Sequence, residues 1–237
     1  MPETPPPSTI REFFQGVISA LPIAAAAVPI GLLFGALAAG KGLSTLEAGL
    51  MSALVFAGAA QFVAIGIWTD PAPWALLGLT ALTVNLRHAI MGVSLVLQFK
   101  HFGRAERWFN LFFLTDEVWA LSEKRASERP LYPAYYMGIA VSLIVTWTAG
   151  TVAGTILGAR LGPPERYGLD FIFTALFLGL VIGFWKGPKT GIVIAISGLF
   201  AAVAHELIDG PWYIVIGGLA GTAAGALTFR SHREQEA

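Results

Sequence analysis

Long uncharged apolar runs recur along this sequence of 237 residues and constrain its fold more than any other feature. A helix needs about 20 apolar residues to cross the hydrocarbon core of a bilayer, which is about 30 Å thick. Only 13% of the residues are charged, whereas soluble domains contain about a quarter. Runs of suitable length lie near residues 16–39, 48–68, 73–98, 133–159, 168–185, 190–208 and 211–229. The sequence therefore predicts an all-α, polytopic membrane helix bundle with about seven spans.

The two ends of the chain are predicted to lie outside this bundle. Residues 1–9 are rich in proline and lack the basic start of a cleaved signal peptide, so they are predicted to be a disordered tail. The next residues, IREFF (10–14), are predicted to begin a short interfacial helix. A single transmembrane domain is expected over residues 10–230, followed by a cytoplasmic tail at 231–237.

The segment 104–128 is ambiguous because its apolar part is interrupted by Thr115, Asp116 and Glu117. Thr115 is predicted to cap a helix whose first turn carries the two carboxylates. If the segment does not cross the bilayer, most lysine and arginine residues fall on one side, as the positive-inside rule requires. The segment is therefore predicted to be re-entrant or interfacial, with the N-terminus outside and the C-terminus in the cytoplasm.

Composition and motifs exclude several functional classes. The chain contains no cysteine, which excludes disulfides and thiolate metal centres. The formal net charge is zero and there is no basic tract, so nucleic acid is not an expected partner. No spacing of histidine and carboxylate residues is typical of a metal site, and no nucleophile elbow supports a hydrolase. We therefore expect neither a cofactor nor an enzyme.

Polar residues occupy the middle of one apolar run, LTVNLRHAIMG at 82–92. An ionisable side chain at the bilayer centre costs about 2.5–3.5 kcal/mol on insertion scales, so Arg87 requires a partner. Asp116 or Glu117 is the expected partner, and the cluster is either a structural lock or a substrate and proton path. His88 is a candidate for proton coupling because histidine titrates near neutral pH, and Asp116 and Glu117 are further candidates. Asn85 shares a helical face with His88.

Two segments rich in small residues are also informative. FAGAAQF at 56–62 permits either close helix packing or an unwound turn, and transporters often interrupt a helix at mid-membrane. Gln61 supplies the only amide of that span. In GGLAGTAAGAL at 217–227, glycine recurs every fourth residue, which predicts a packing face for another span or a partner subunit.

The segments FAGAAQF, NLRHAIMG and LTDEVWA, with LPI, PIG and FG in the first apolar run, carry a family resemblance. In this order and spacing they resemble the AzlC-type branched-chain amino acid permeases, the large subunits of the LIV-E exporters. The similarity covers residues 10–230, nearly the whole chain. The chain departs from the family pattern at Met91, where an aromatic residue is usual, and at Ala60, where serine is frequent. These departures bear on substrate choice.

The resemblance implies a multi-pass protein of the bacterial inner membrane that exports leucine, isoleucine, valine and in some cases methionine. It further implies coupling to protons and a smaller AzlD-type membrane subunit as partner. A transporter of another small solute, a non-transporting scaffold subunit and a membrane enzyme using His88 remain alternatives.

A branched zwitterionic substrate requires an anion site, a cation site and an apolar pocket. Arg87, or backbone N–H groups near Gly58–Gln61, would take its carboxylate group. Asp116 or Glu117 would take its ammonium group. The remaining predicted substrate-binding residues are two interior amides and three aromatic side chains: Gln61, Asn85, Phe56, Phe62 and Phe113.

Overall fold

The computed structural model describes residues 8–161, 171, 175, 178–179, 181–182, 185, 187–208 and 212–233. Within them, all regular secondary structure is helical. The helices are α1 (Thr9–Gly40), α2 (Thr45–Val55), α3 (Gly58–Gly66), α4 (Trp74–Val96), α5 (Arg104–Phe112), α6 (Asp116–Glu128), α7 (Pro133–Leu161), α8 (Pro188–Leu207) and α9 (Trp212–Arg233). The helices α1, α4, α7 and α8 are long and apolar enough to cross a membrane. The predicted all-α membrane class is confirmed.

Some predictions fall partly or wholly outside the described residues. They include most of the predicted span 168–185, residues 209–211 and nearly all of the N-terminal tail. The helix α1 begins at Thr9, with the Ser8 side chain accepting a hydrogen bond from the backbone N–H of Arg11. It continues without interruption through IREFF, so the prediction of a short separate helix there is wrong. The helix α9 runs to Arg233, into the predicted C-terminal tail.

The chain forms two compact units, which are described separately. The first unit contains Met1–Gln61 and Asn85–Pro164, and the second contains Phe62–Val84 and Glu165–Ala237.

The first unit is built on close packing between α1 and α7. A Cβ atom on Gly16 would collide with the backbone of Tyr135, and one on Gly35 would collide with the backbone of Thr151. A Cβ atom on Gly154 would likewise meet the backbone of Leu32. Glycine is required at these contacts because the two backbones touch. Since the contacted residue number rises in both helices together, α1 and α7 run parallel and begin at the same end of the unit.

The predicted span 48–68 is a broken helix. The helix α2 ends at Val55, and Phe56 has a left-handed backbone conformation with φ of 40°. The helix α3 starts two residues later, at Gly58. Of the two interpretations of FAGAAQF, the unwound turn is confirmed. The run is therefore two short helices of 11 and 9 residues, each too short to cross a bilayer alone.

The segment 104–128 is a hairpin formed by α5 and α6. The hairpin begins after Phe102, whose ring contacts Tyr136 in the first turn of α7. The chain turns at 113–115, and α6 returns until Arg125 reaches Glu12 at the start of α1. Both ends of the hairpin therefore lie at the end of the unit where α1 and α7 begin. The segment thus begins and ends at one end of the unit, as the prediction of a re-entrant or interfacial segment requires.

The predicted topology is wrong in one respect. It placed the N-terminus on the opposite side of the membrane from residues 100–129. In the structure the start of α1 is ion-paired to Arg125, so the two lie at the same end of the first unit. The lysine and arginine count assumed that each apolar run is one helix that crosses once, whereas the run 48–68 is two short helices.

In the second unit, α8 and α9 pack as antiparallel neighbours, as predicted. A Cβ atom on Gly217 would lie 2.8 Å from the Ala201 Cβ, and one on Gly225 would lie 3.9 Å from a methyl group of Val193. The Ser197 hydroxyl donates a hydrogen bond of 2.9 Å to the carbonyl of Gly217. The glycine face predicted at 217–227 thus contacts α8 of the same chain.

Candidate functional site

Arg87 and Asp116 form an ion pair between α4 and α6. The distance from Arg87 Nη2 to Asp116 Oδ2 is 2.9 Å, and the side chains are 34% and 36% exposed. The Thr115 hydroxyl accepts a hydrogen bond from the Val118 N–H at 3.3 Å, so the predicted cap starts α6 and aims Asp116 at α4. Asp116 is therefore the one of the two predicted partners that pairs with Arg87. Glu117 is exposed and forms no ion pair within the described residues.

Two buried polar atoms in this stretch of α4 have no hydrogen-bond partner in the described part of the chain. They are Asn85 Oδ1 and Arg87 Nε. Buried polar atoms are nearly always hydrogen-bonded, so each exception calls for a physical explanation. Arg87 Nε is thus a donor available to a ligand at the ion pair, whereas Asn85, two residues earlier, points to another face of α4.

His88 follows Arg87 on α4 and is half-buried. Its imidazole forms no hydrogen bond or ion pair with the side chains that the structure describes. The ring nitrogens of His88 are therefore available to a proton or a ligand. Its predicted role in proton coupling stays a prediction.

Gln61 belongs to a different polar cluster, which joins the broken helix to α7. Its Nε2 donates to Ser52 Oγ at 3.1 Å, and its Oε1 accepts from Trp147 Nε1 at 2.8 Å. Ser52 Oγ lies 2.8 Å from Thr151 Oγ1. Because Gln61, Ser52 and Thr151 are fully buried, the cluster fixes the helices on both sides of the break. Sequence reasoning missed the partners of Gln61, which are ordinary residues of apolar helices.

The three predicted aromatic residues divide between the units. Phe56 is buried in the hydrophobic core of the first unit, and Phe113 packs against that core. The Phe113 ring centroid lies 5.3 Å from that of Phe109. Phe62 is buried and belongs to the second unit, whereas all other predicted site residues belong to the first.

Sequence reasoning also missed two further polar contacts of α6. Glu123 contacts Ser94 of α4, with 3.0 Å between Oε1 and the hydroxyl oxygen. Arg125 forms a buried ion pair with Glu12 of α1, 2.8 Å long. Both residues lie in the charged run SEKRASE, which has the composition of a solvated surface. Counting seven residues from Asp116 would have placed Glu123 on the same helical face.

No group of three histidine or carboxylate residues within the described residues is arranged to hold a metal ion. The chemistry available at Arg87 and Asp116 is therefore charge pairing and hydrogen bonding. Such a pair suits a ligand that carries charges of both signs.

An apolar helix bundle with a broken helix, a re-entrant hairpin and an interior ion pair defines a multi-pass membrane transport protein. The AzlC protein family matches residues 22–161, more than half of the chain. The chain belongs to the AzlC family, which confirms the resemblance found in the sequence. Because this is a family of membrane transporters, the expectation that the chain is not an enzyme is also confirmed.

Three relatives illustrate the similarity. The chain is 32% identical over 221 residues to an uncharacterized membrane protein of Archaeoglobus fulgidus, covering 91% of this chain and 93% of the relative. It is 30% identical to inner membrane protein YgaZ of Escherichia coli, with 91% and 89% covered. It is 29% identical to the branched-chain amino acid transport protein AzlC of Bacillus subtilis, with 80% and 74% covered. No solved structure shows significant similarity to the chain.

Proposed function

We propose that this chain is the large subunit of a two-component secondary transporter that exports branched-chain amino acids. Its substrates are leucine, isoleucine and valine, with methionine as a further one, and its driving force is the proton gradient. Support comes from family membership and from a relative named for branched-chain amino acid transport. The partner is a small membrane subunit of the AzlD type, as the family resemblance implies.

The ion pair between Arg87 and Asp116 carries this proposal. An amino acid zwitterion has the same two charges as the pair, in the opposite arrangement. Its carboxylate group binds Arg87 and its ammonium group binds Asp116, so two ion pairs replace one. No charge is then left unpaired in the middle of an apolar helix when the substrate enters or leaves.

The neighbouring atoms extend this site beyond two charges. Asn85 Oδ1, which is buried without a partner on another face of α4, is a candidate acceptor for a further hydrogen bond from the substrate. Arg87 Nε donates a second one to the carboxylate, which gives the two-point geometry that arginine prefers. Phe56 and Phe113 supply apolar surface for the branched side chain.

Proton coupling requires a group that gains and loses a proton during transport. His88 adjoins the ion pair and has no hydrogen-bond partner within the described residues. Asp116 is held by Arg87, and Glu117 is exposed, so both fit this role less well. We therefore assign proton coupling to His88.

The proposed location is the bacterial inner membrane, with α1 starting on the cytoplasmic side. The end of the first unit where α1 begins carries most of its basic residues: Arg11, Lys100, Arg104, Arg107, Lys124, Arg125 and Arg129. The opposite end carries Lys41, after α1, and Arg160, in the last turn of α7. The positive-inside rule then assigns the first end to the cytoplasm.

Vesicles test the proposed function directly. The chain and its small partner subunit are reconstituted, loaded with labelled leucine, and assayed for efflux with and without a pH gradient. We expect leucine efflux that the gradient accelerates and that Arg87→Ala or Asp116→Asn abolishes. An absence of flux for leucine, isoleucine, valine and methionine under both conditions would overturn the proposal. Well-folded Arg87→Ala and Asp116→Asn variants with normal efflux would overturn the assigned site.

A further inference from the structure

A second polar contact joins α4 and α6, seven residues beyond the ion pair on each helix. Ser94 follows Arg87 by two helical turns, and Glu123 follows Asp116 by the same interval. Three polar atoms surround the Ser94 hydroxyl oxygen. They are Trp119 Nε1 at 2.8 Å, the Met91 carbonyl oxygen at 2.9 Å and Glu123 Oε1 at 3.0 Å.

The number of protons at this contact is limited. The indole N–H of Trp119 only donates, so the Ser94 oxygen accepts from it. The Met91 carbonyl only accepts, and a hydroxyl group has one hydrogen to donate. When Glu123 is ionised, the Ser94 hydroxyl donates to it. When that hydroxyl turns to Met91, Glu123 must carry its own proton and donate to Ser94.

We propose that Glu123 is a proton-binding site of the transporter. Both of its protonation states are satisfied by rotation of one hydroxyl group, without a change of neighbours. A donor or acceptor that loses its partner away from water is destabilising, and this arrangement avoids that loss in either state. The inference rests on the proposed function, because it adds a second proton-binding group, besides His88, to the coupling of proton movement and amino acid export.

The charges around Glu123 distinguish it from the other carboxylates of this region. Arg87 is engaged by Asp116, and Arg125 is engaged by Glu12. Glu123 forms no ion pair with any cation that the structure describes. The hydrogen bond of Glu123 is to the Ser94 hydroxyl, so no described cation competes with a proton for its carboxylate.

Other titratable groups lie on α6 and on the helices that contact it. On α6 they are Asp116, Glu117, Lys124, Arg125 and Glu128; on α4, Arg87 and His88; on α1, Arg11 and Glu12; and on α7, Tyr135, Tyr136 and Arg160. Lys124 and Glu128 are exposed. None of these groups forms a hydrogen bond or an ion pair with Glu123.

The position of Glu123 explains how a proton affects the substrate site. Seven residues of helix separate it from Asp116, or about 10 Å along α6. An ionised Glu123 accepts a charge-assisted hydrogen bond from Ser94, which ties α6 to α4. Protonation replaces that bond by a weaker neutral one. The contact between α4 and α6, which the ion pair of Arg87 and Asp116 also bridges, is then easier to open to an amino acid.

Two transport assays on the reconstituted complex test this assignment. One measures exchange of labelled for unlabelled leucine without a gradient, and the other measures efflux driven by a pH gradient. We expect Glu123→Gln to retain exchange and to lose acceleration by the gradient. Glu128→Gln, an exposed change on the same helix, is the matched control and should behave as wild type. A Glu123→Gln protein that keeps gradient-driven efflux would overturn the inference.

Ser94 variants test the hydroxyl without touching the carboxylate. Ser94→Ala removes the rotating group and should shift the pH profile of gradient-driven efflux, whereas Ser94→Thr should restore it. An unchanged profile in Ser94→Ala would overturn the inference, including in the case that Glu123→Gln does not reach the membrane.

An infrared measurement separates failure of this inference from failure of the proposed function. The pH-dependent C=O stretching band of a protonated carboxyl group should disappear in Glu123→Gln and persist in Glu117→Gln. This signal does not depend on transport. Wild-type vesicles without leucine flux would refute the proposed function, while the band alone would still decide whether Glu123 binds a proton. A band that persists in Glu123→Gln would refute the proton site.

Discussion

Arg125 Nη2 lies 2.8 Å from both carboxylate oxygens of Glu12, and the two side chains are only 10% and 5% exposed. The pair joins the first turn of α1 to the last turns of α6. The Arg125 guanidinium also lies over the Tyr135 ring, 4.7 Å from its centroid, so α7 takes part in the contact. Three helices are thereby held together at one end of the first unit.

Removing one member of this pair should destabilise the protein strongly. A buried ion pair that loses one partner leaves an unpaired charge, at a cost of about 3–5 kcal/mol. We expect Glu12→Gln to lower the thermal unfolding temperature of the purified protein markedly, and Glu12→Leu combined with Arg125→Met to recover much of the loss. Glu117→Gln, an exposed carboxylate on α6, is the control. A Glu12→Gln protein with wild-type stability would contradict the assigned burial.

The same contact predicts which parts of the chain share a side of the membrane. The chain contains no cysteine, so single-cysteine variants need no prior substitution. We expect Ser8→Cys and Arg129→Cys to react with an impermeant thiol reagent from the cytoplasmic side, and Lys41→Cys from the opposite side. Labelling of positions 8 and 129 from different sides would refute the parallel arrangement of α1 and α7. Labelling of both from outside would refute only the assignment of that end to the cytoplasm.

The sequence predicted the partner of Arg87 because an arginine in an apolar run needs a carboxylate and few carboxylates are nearby. Only Asp116 and Glu117 interrupt the next apolar segment. Which of them points at α4 depends on the rotation of α6, which the Thr115 cap and packing set together. The broken helix at Phe56 was one of two alternatives, since small residues permit both.

The contact between Glu12 and Arg125 could not be predicted in the same way. The residues are 113 positions apart, and each lies in a charged segment that has the composition of an exposed surface. Their burial follows from the parallel packing of α1 and α7. Glycine spacing signals that a helix packs closely, but it does not identify the partner helix or its direction.

The contact between α1 and α7 should tolerate no side chain at its closest points. A Cβ atom on Gly154 would overlap the backbone of Leu32, and backbone atoms cannot move aside as a flexible side chain can. Gly154→Ala should therefore destabilise the protein by at least the 1–3 kcal/mol typical of overpacking. Thermal unfolding in detergent measures the effect. Gly198→Ala on α8, with no described atom within 4 Å of the new methyl group, is the control and should be tolerated.

Exchanging the two charges of the candidate site distinguishes substrate binding from a structural lock. Asp116→Arg combined with Arg87→Asp preserves an ion pair between α4 and α6, so its abundance in the membrane should exceed that of either single variant. The exchange places a cation in the first turn of α6, where the helix dipole disfavours it by about 0.3–1 kcal/mol, so recovery will be incomplete. Membrane abundance and leucine flux are measured on the same preparations.

A binding site and a lock respond differently to this exchange. A zwitterion bound by the reversed pair must itself reverse, which turns its branched side chain away from Phe56 and Phe113. Leucine flux per molecule should therefore stay low in the exchanged variant although the protein is folded, because charge pairing is restored and substrate orientation is not. Flux that recovers in proportion to abundance would show that Arg87 and Asp116 only hold the helices together. Glu117→Gln should leave both quantities unchanged, since that carboxylate is exposed and forms no ion pair within the described residues.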